Sequence, residues 1–495
     1  MLNIKNIAHR TAILFYVLLS MLYIIWRIAF TLNEDQMAAS VIFLMVDMLM
    51  CVSAILFVIS LWRHPYHPAL KEDAKEFSID VLIPTYNETC EMLESTLQHC
   101  INMNYPHEIY LLDDGNRPEM RLLANKLGVS YIARENNTGA KAGNLNNAMQ
   151  YTQGELIAIF DADFRPEKEF LSRLAGYFHD EKIAVVQAPQ SYYNTDSFQH
   201  RRLSENKIYS DQDTFMHFVL PARNNWNAAY WIGTNALLRR EAIESIGGFP
   251  TDCVTEDILT SILIHGKGWK TVYVDESLAS GLAPGNISEY FVQRLRWAKG
   301  AFQILRSHNP LFQKGLSLMQ RLSYFSSVSH FFEGSAKIAY YLFPALFFLF
   351  GIVPIYPYPP IIIEMLLYFG ITRLLLESIT GERTNLIMEE IYSVIKSFIY
   401  LMALPAFIFN KNIRFRVTPK GKDRRKSISF QGVIGPIIIF GFNLAAIIMA
   451  IINLFKIDIF GWIVFGWCLY TGGLAFSACF YCFKPLIKKS NESHV

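Results

Sequence analysis

Pairs of carboxylates follow two apolar runs of the chain. Residues 109–112 lead into Asp113-Asp114-Gly115, and residues 156–160 lead into Asp161-Ala162-Asp163. Both runs predict β-strands, and open α/β sheets bind ligands at the carboxyl ends of their strands. Two carboxylates at a strand end suit a hard divalent cation that also contacts phosphate oxygens. Together the pairs predict a metal and nucleotide site, although each pair by itself is equally typical of a turn.

A third acidic pair opens a helical pattern. Thr255-Glu256-Asp257 precedes the apolar residues Ile258 and Leu259. One interpretation is a helix N-cap followed by first-turn acids. The other makes one carboxylate a general base, whose ionised form the positive end of the helix dipole would stabilise. The two interpretations are compatible.

An amide, a guanidinium and an indole share one face of a predicted helix over residues 288–305. They belong to Gln293, Arg296 and Trp297 in the sequence Gln293-Arg294-Leu295-Arg296-Trp297. Arginine can neutralise a departing diphosphate, and tryptophan offers a flat face to a sugar ring. The alternative is a helix at a membrane surface with an arginine and tryptophan belt.

Strand and helix patterns alternate between about residues 76 and 285, which predicts a largely parallel sheet covered by helices. No Gly-x-Gly-x-x-Gly follows the first strand and no Walker loop is present, which disfavours dinucleotide and P-loop sites. The predicted strands are 78–83, 108–112, 129–133, 155–160 and 183–188, and the predicted helices are 118–127, 141–152 and 167–179.

The remainder of the 495 residues is rich in apolar runs. Hydrophobic residues make up 52% of the chain, which is too apolar for an ordinary soluble enzyme. A helix of about 20 apolar residues crosses a bilayer core. The first run is expected to be a retained anchor and not a signal peptide. The net charge of +2 gives no indication of nucleic-acid binding. The six predicted spans are 12–32, 38–62, 322–351, 358–378, 432–454 and 460–482.

Loop charges orient these spans. The link between the first two is acidic, and the segment after the second is basic, so the positive-inside rule places residues 63–320 in the cytosol. The stretch 411–426 carries eight basic residues and one acid, which also favours the inside. We therefore expect 386–409 to lie flat at the cytosolic interface of the plasma (inner) membrane, with both termini cytosolic. Seven scattered cysteines fit a reducing compartment.

These expectations divide the chain into five parts. They are two transmembrane helices (1–65), a cytosolic catalytic domain (66–285), interfacial amphipathic helices (286–320), further spans (321–485) with the interface helix 386–409 and a loop at 410–430, and a short cytosolic tail (486–495).

As an ordered set, the motifs resemble those of processive family 2 glycosyltransferases of the cellulose synthase type. The set begins with Pro84-Thr85-Tyr86-Asn87-Glu88 and continues through the three acidic motifs and Lys141-Ala142-Gly143-Asn144 to residues 293–297. Residues 279–284 (Ala-Ser-Gly-Leu-Ala-Pro) are also similar. Residues 415–421 (Phe-Arg-Val-Thr-Pro-Lys-Gly) resemble the gating loop of glucan synthases.

The resemblance implies a Rossmann-like GT-A α/β domain inserted into a polytopic helical membrane domain that forms a polysaccharide channel. It implies an inverting transfer from a UDP-sugar, with UDP-glucose favoured, to a growing β-linked exopolysaccharide or capsule polymer, assisted by Mg²⁺ or Mn²⁺. The expected site residues are the following. Asp257 and Glu256 would be catalytic; Thr85, Tyr86, Glu88, Asp113, Asp114, Lys141, Asp161, Gln293, Arg294 and Arg296 would bind the nucleotide sugar; Asp161 and Asp163 would hold the metal; Trp297, Trp231, Gly233 and Thr234 would bind the acceptor; and Phe415, Val417, Thr418 and Lys420 would form the gating loop.

The chain departs from the family pattern at two places. Residues 230–235 (Tyr-Trp-Ile-Gly-Thr-Asn) stand where cellulose synthases have Phe-Phe-Cys-Gly-Ser, which leaves β-1,3 or β-1,2 linkages open beside β-1,4. About a dozen residues follow the last span, so no cyclic-di-GMP receptor domain is expected. The alternatives are a synthase that uses UDP-N-acetylglucosamine, a non-processive transferase acting on a lipid carrier, and a transporter or structural membrane protein. Membrane lipid is an expected partner, nucleic acid is not, and homo-oligomerisation stays open.

Overall fold

A mixed seven-stranded sheet is the centre of the first half of the chain. The computed structural model describes residues 2–66, 68, 76–194, 211–380, 386–409, 432–453 and 458–482. The strand order is β3-β2-β1-β4-β8-β6-β9, in which β8 runs antiparallel to both of its neighbours and the other pairs are parallel. The strands are β1 (Ile79–Thr85), β2 (Glu108–Asp113), β3 (Ser130–Ala133), β4 (Leu156–Ile159), β5 (Arg165–Pro166), β6 (Ile183–Gln187), β7 (Ser191–Tyr192), β8 (Ala236–Arg239), β9 (Lys270–Tyr273) and β10 (Ala279–Gly281).

Helices cover both faces of this sheet. Val81 and Ile83 of β1 point into one apolar cluster, and Leu82 points into another on the opposite face. A strand buried on both sides is mostly apolar, which explains the run Val81–Ile83 of β1. The buried Asp80 of the same strand is paired with Arg240. The covering helices are α3 (Cys90–Ile101), α4 (Pro118–Leu127), α5 (Ala140–Ala148), α6 (Phe170–Ala175), α7 (Leu220–Arg223), α8 (Arg240–Glu244) and α9 (Glu256–Gly266).

The predicted α/β architecture is confirmed, with differences at its edges. All five predicted strands exist, and the helix predicted at 118–127 has the observed bounds of α4. Strands β8 and β9 were not predicted from the sequence. A small second sheet of order β5-β10-β7 was not predicted either; in it a Cβ on Gly281 would lie 2.4 Å from the Phe164 ring, so that only glycine permits this approach.

Long helices dominate the second half and the N-terminus. They are α1 (Leu2–Phe30), α2 (Met37–Ser60), α10 (Ile287–Ser307), α11 (Leu318–Ser329), α12 (Glu333–Phe350), α13 (Pro359–Thr380), α14 (Leu386–Phe409), α15 (Ile434–Ile452) and α16 (Ile459–Cys482). The prediction of one continuous helix over 322–351 is wrong, because this segment forms two helices, α11 and α12, separated by a 3₁₀ turn at His330–Phe332. This turn brings Gly334 against α14, where a Cβ would lie 2.8 Å from the Ser397 carbonyl oxygen.

Within the described residues, five helices are long and apolar enough to cross a membrane: Asn6–Phe30, Glu34–Ser60, Ile387–Phe409, Ile434–Ile452 and Ile459–Cys482. Four of them coincide with predicted spans. The fifth, in α14, is the segment expected at the interface, and this placement stays a prediction. The predicted span 358–378 matches the bounds of α13, which is not among the five, and its crossing stays a prediction.

The α1–α2 turn contacts the turn between α12 and α13. Asn33 Nδ2 donates to the Val353 carbonyl at 2.7 Å, and the Tyr356 amide donates to the Thr31 carbonyl at 2.9 Å. Deeper in the bundle, a buried ion pair joins Arg27 to Asp47 at 2.6 Å. The two helix turns therefore lie at the same end of the helical bundle.

Candidate active site

A cavity of about 590 Å³ opens at the carboxyl ends of β1 and β4. The loops after these strands, the first turns of α5 and α9 and one face of α10 contribute to its wall. The cavity unites most of the residues that the sequence analysis singled out. Those that line it are Thr85, Tyr86, Glu88, Asp114, Lys141, Asp161, Asp163, Gly233, Glu256, Asp257, Gln293, Arg296 and Trp297.

Glu88 fixes the loop that follows β1. Its Oε2 accepts hydrogen bonds from the Thr85 hydroxyl at 2.8 Å and from the Tyr86 amide at 2.9 Å. Nearby, Asp114 is paired with Arg134, whose guanidinium contacts both carboxylate oxygens. Burial raises the pKa of Asp114, and Arg134 opposes this effect by favouring the charged form. One end of the cavity is thus a rigid polar wall that bears carboxylates.

Lys141 connects the carboxylate pair to the opposite wall. Its ammonium donates to Asp161 Oδ1 and to the Gly233 carbonyl, the latter at 2.6 Å. The Asp161 backbone amide donates to the Thr234 hydroxyl at 2.9 Å. Asp163 is only 3% exposed and lines the cavity beside Asp161. The cavity therefore places one lysine and two carboxylates next to each other.

The carboxylate pair fits a divalent cation that shares its ligands with a phosphate. No group of three or more His, Cys, Asp or Glu side chains suited to a metal occurs in the described part of the chain. Mg²⁺ is commonly held by one or two carboxylates together with substrate phosphates and water. Asp161 and Asp163 have the composition expected of such a shared site.

Asp257 lies in the first turn of α9. Its Oδ1 accepts from the Ile258 amide at 2.9 Å, and a Cβ on Gly233 would lie 3.1 Å from its Oδ2. Gly233 has φ +91°, a conformation that favours glycine, so the backbone passes close to the carboxylate. Burial and the neighbouring Glu256 raise the pKa of Asp257 to about 7. A carboxyl group with this pKa can accept and release a proton near neutral pH.

Four predicted site residues lie behind the cavity wall. They are Asp113, Trp231, Thr234 and Arg294, none of which lines the cavity. Asp113 is fully buried, and its carboxylate accepts from the Gly115 and Arg117 amides and the Tyr131 hydroxyl, so it holds the loop that carries Asp114.

The other three also support residues that do line the cavity. Trp231 is fully buried against Phe249, with ring centroids 5.5 Å apart, while its neighbours Ile232 and Gly233 face the cavity. Thr234 is fully buried beneath Asp161. The Arg294 guanidinium stacks on the ring of Trp297, which lines the cavity. The direct contacts expected of these four residues with donor or acceptor stay predictions. The gating-loop residues Phe415, Val417, Thr418 and Lys420 lie outside the described residues.

The structure adds polar residues that sequence analysis missed. Glu289 lines the cavity at the start of α10 and accepts from the Gly285 amide at 2.8 Å and from Asn286 Nδ2 at 2.7 Å. The spacing Asn286-x-x-Glu289 is a helix N-terminal signal that was visible in the sequence. Gln190 and Gln303 also line the cavity. Neither lies in a motif that would have singled it out.

Two segments of the chain match models of known protein families. Residues 80–247 match the family model described as "Glycosyl transferase family 2", and residues 239–392 match the model described as "Cellulose synthase". The chain is 33% identical over 441 residues to the cellulose synthase catalytic subunit (UDP-forming) of Pseudomonas fluorescens (strain SBW25), covering 85% of this chain and 59% of that protein. It is 33% identical over 440 residues to cellulose synthase 1 of Komagataeibacter xylinus, covering 86% of this chain and 28% of that protein.

Among solved structures, a mannosyltransferase from Pyrobaculum calidifontis in complex with GDP-mannose and Mn²⁺ aligns with 74% of this chain and 98% of its own, with a TM-score of 0.54 and 18% identity. This likeness concerns the fold. The chain spans less than two thirds of the length of the two cellulose synthases named above. Two segments of the chain thus match the models of family 2 glycosyltransferases and of cellulose synthases, and the chain is similar, over most of its own length, to bacterial cellulose synthases.

Proposed function

We propose that this protein is a processive, inverting synthase that polymerises a β-linked glucan from UDP-glucose. The observation that carries the proposal is the single cavity in which the Asp161 and Asp163 pair, Asp257 and the Gln293–Arg296–Trp297 face of α10 meet. A donor site alone does not need the Trp297 indole on this face of α10. Both relatives described above are named as cellulose synthases, and the one from Pseudomonas fluorescens is named as UDP-forming, which supports the choice of donor.

The donor would occupy the half of the cavity near β1 and β4. Tyr86, Glu88 and Asp114 would bind the uridine, and Lys141 and Arg296 would face the diphosphate with positive charge. Asp161 and Asp163 would hold Mg²⁺ or Mn²⁺, which when bound would supply further positive charge opposite the phosphate oxygens. The anomeric carbon of the sugar would then lie toward Asp257.

The transfer is a single displacement. Asp257 accepts the proton of an acceptor hydroxyl, and the hydroxyl oxygen forms a bond to the anomeric carbon from the face opposite the diphosphate. The bond between that carbon and the diphosphate oxygen breaks, and UDP leaves with the electron pair. The configuration at the anomeric carbon inverts, so an α-linked donor yields a β-linkage. Arg296 stabilises the charge that develops on the leaving group.

The helical half would receive the product. Helix α14 packs along α10, with Ile391 and Ile395 next to Ile287 and Phe291 at one end and the Phe407 carbonyl accepting from Arg306 at the other. The sequence predicts that α10 belongs to the interfacial segment 286–320. A helix that packs along α10 over this length would therefore also lie at the cytosolic membrane surface. We propose that α14 lies at this surface and that the bundle beyond it conducts the polymer outward.

Purified protein incubated with single UDP-sugars and Mg²⁺ tests the proposal. We expect polymer from UDP-glucose and inverted, β-configured linkages. Digestion with glucanases specific for β-1,4, β-1,3 and β-1,2 linkages then identifies the product. If polymer forms only from UDP-N-acetylglucosamine, the assignment of UDP-glucose as the donor is wrong. If a single sugar is transferred to lipid without elongation, the enzyme is not processive.

The pH dependence of the reaction follows from the raised pKa of Asp257. The base has to be ionised, so kcat/KM for polymer formation should rise with pH through about 7 and level off above it. Rates measured from about pH 5 to pH 9, with folding checked at each pH, provide the test. A profile that is flat through this window would show that Asp257 does not limit the reaction by its ionisation.

Trp297→Ala should uncouple elongation from donor turnover. The indole is proposed to position the acceptor sugar, whereas water needs no such platform when it hydrolyses the donor. Polymer formation should fall by about tenfold or more relative to UDP release. The two products are measured in the same reaction. Equal losses of both would show that Trp297 only supports the fold.

A further inference from the structure

Arg294 lies next to the proposed acceptor platform but outside the cavity. Its guanidinium carbon is 4.3 Å from the centroid of the Trp297 ring and 4.7 Å from that of the Tyr290 ring. These three residues are three and four positions apart on α10, so they share one helix face. A guanidinium over an aromatic face is attracted by the ring quadrupole, most strongly at tryptophan. Arg294 therefore holds one face of the indole that also contacts the cavity.

Asp211 holds Arg294 in turn. Its Oδ1 accepts from an Arg294 terminal nitrogen at 2.6 Å, and its Oδ2 accepts from the Tyr290 hydroxyl at 2.8 Å. The side chains of Asp211 and Arg294 are 6% and 5% exposed. Separating the two charges of a buried pair would leave each of them desolvated and unpaired, which is costly. The pair therefore holds both side chains in one geometry. The position of Trp297 thus depends on a carboxylate that lies 83 residues before Arg294 in the chain.

The same carboxylate contacts the helix at the proposed membrane surface. Lys396 of α14 places its ammonium 3.7 Å from Asp211 Oδ2. Although burial by itself would raise the pKa of Asp211, Arg294 and Lys396 together lower it, so the carboxylate stays ionised. The Asp211 carboxylate lies between the cations Arg294 and Lys396, so it connects α10 with α14.

We propose that Asp211 and Arg294 are positioning residues for the acceptor: they fix Trp297 by a buried ion pair and a stacked guanidinium. The inference rests on the proposed function, because it concerns the acceptor half of that site. Neither residue touches the donor half of the cavity. Their loss should therefore change how often a transferred sugar reaches the polymer and not how UDP is bound.

Arg294→Lys is the sharpest single test. Lysine keeps the charge near Asp211 but loses the planar stacking on the indole. We expect polymer formed per UDP released to fall by about tenfold, with UDP affinity unchanged. Tyr290→Phe removes only the hydroxyl that donates to Asp211 and should lower the same ratio less. The Tyr290→Phe variant can be tested in its place if the Arg294→Lys variant folds poorly.

Arg240→Lys is the matched control. Arg240 is a largely buried arginine paired with Asp80 at 2.8 Å, and neither residue lines the cavity. Its replacement should reduce stability without changing the ratio. If Arg294→Lys lowers polymer formation and UDP release in the same proportion, as a merely structural change would, the inference is overturned.

A double variant separates positioning from an independent effect. When Trp297 is already alanine, Arg294 has no indole to hold, so adding Arg294→Lys should lower the ratio no further. A further drop of similar size to that in the native background would overturn the inference. Native protein that releases UDP from UDP-glucose without forming polymer would reject the proposed function, and the inference with it, before any variant is compared.

Discussion

Asp257→Asn should leave UDP binding nearly intact and reduce polymer formation by roughly 10²–10⁴-fold. The amide has nearly the shape of the carboxylate and can still accept from the Ile258 amide. It cannot take the proton of an acceptor hydroxyl. The expected loss is therefore in kcat, because the interaction removed serves the transition state and not the bound donor. Calorimetry with UDP and steady-state assays of polymer formation measure the two quantities separately.

Asp275→Asn provides the control for this variant. Asp275 is also a largely buried aspartate, paired with His217, and it does not line the cavity. It should affect folding stability more than turnover. An Asp257→Asn enzyme that polymerises within a few-fold of the native rate would remove Asp257 from the mechanism, and Glu256 would become the candidate base.

The sequence predicted the parts of the site that depend on local pattern. Strands that are buried on both faces are apolar, and polar residues at their carboxyl ends follow directly, which placed Asp114, Asp161 and Asp163 correctly at one edge. The first turn of α9 was visible for a similar reason, since acids precede an apolar helical run. These signals are short-range and survive in a single sequence.

The parts that were not predicted depend on contacts distant in sequence. Asp211 belongs to no motif, and only the fold brings it to Arg294. Trp231 was expected to contact the acceptor, but its side chain packs in the core against Phe249, and its neighbour Ile232 lines the cavity. The turn at 330–332 has no glycine or proline to mark it, so hydropathy joined α11 and α12 into one segment.

Asp163→Asn should weaken UDP binding only where a divalent cation assists it. Asp161 is already paired with Lys141, whereas Asp163 is more deeply buried and contributes its charge at the same cavity edge. Replacing even an outer-shell partner of a metal ligand typically costs about 10- to 100-fold in metal affinity, so loss of a direct ligand should cost at least as much. Calorimetric titration of UDP with Mg²⁺, and again with a chelator, measures the metal-dependent part of the affinity.

The comparison between the two titrations decides what Asp163 does. If it binds the cation, the gain in UDP affinity on adding Mg²⁺ should nearly disappear in the variant, while the affinity without metal changes little or rises, because one negative charge near the diphosphate has been removed. If Asp163 only shapes the loop after β4, both affinities should fall together. Asp180→Asn, which alters a half-exposed carboxylate paired with Lys270 away from the cavity, should leave both titrations as in the native protein. An undiminished response to Mg²⁺ in the Asp163 variant would contradict the metal assignment and leave Asp161 as the remaining carboxylate of the pair.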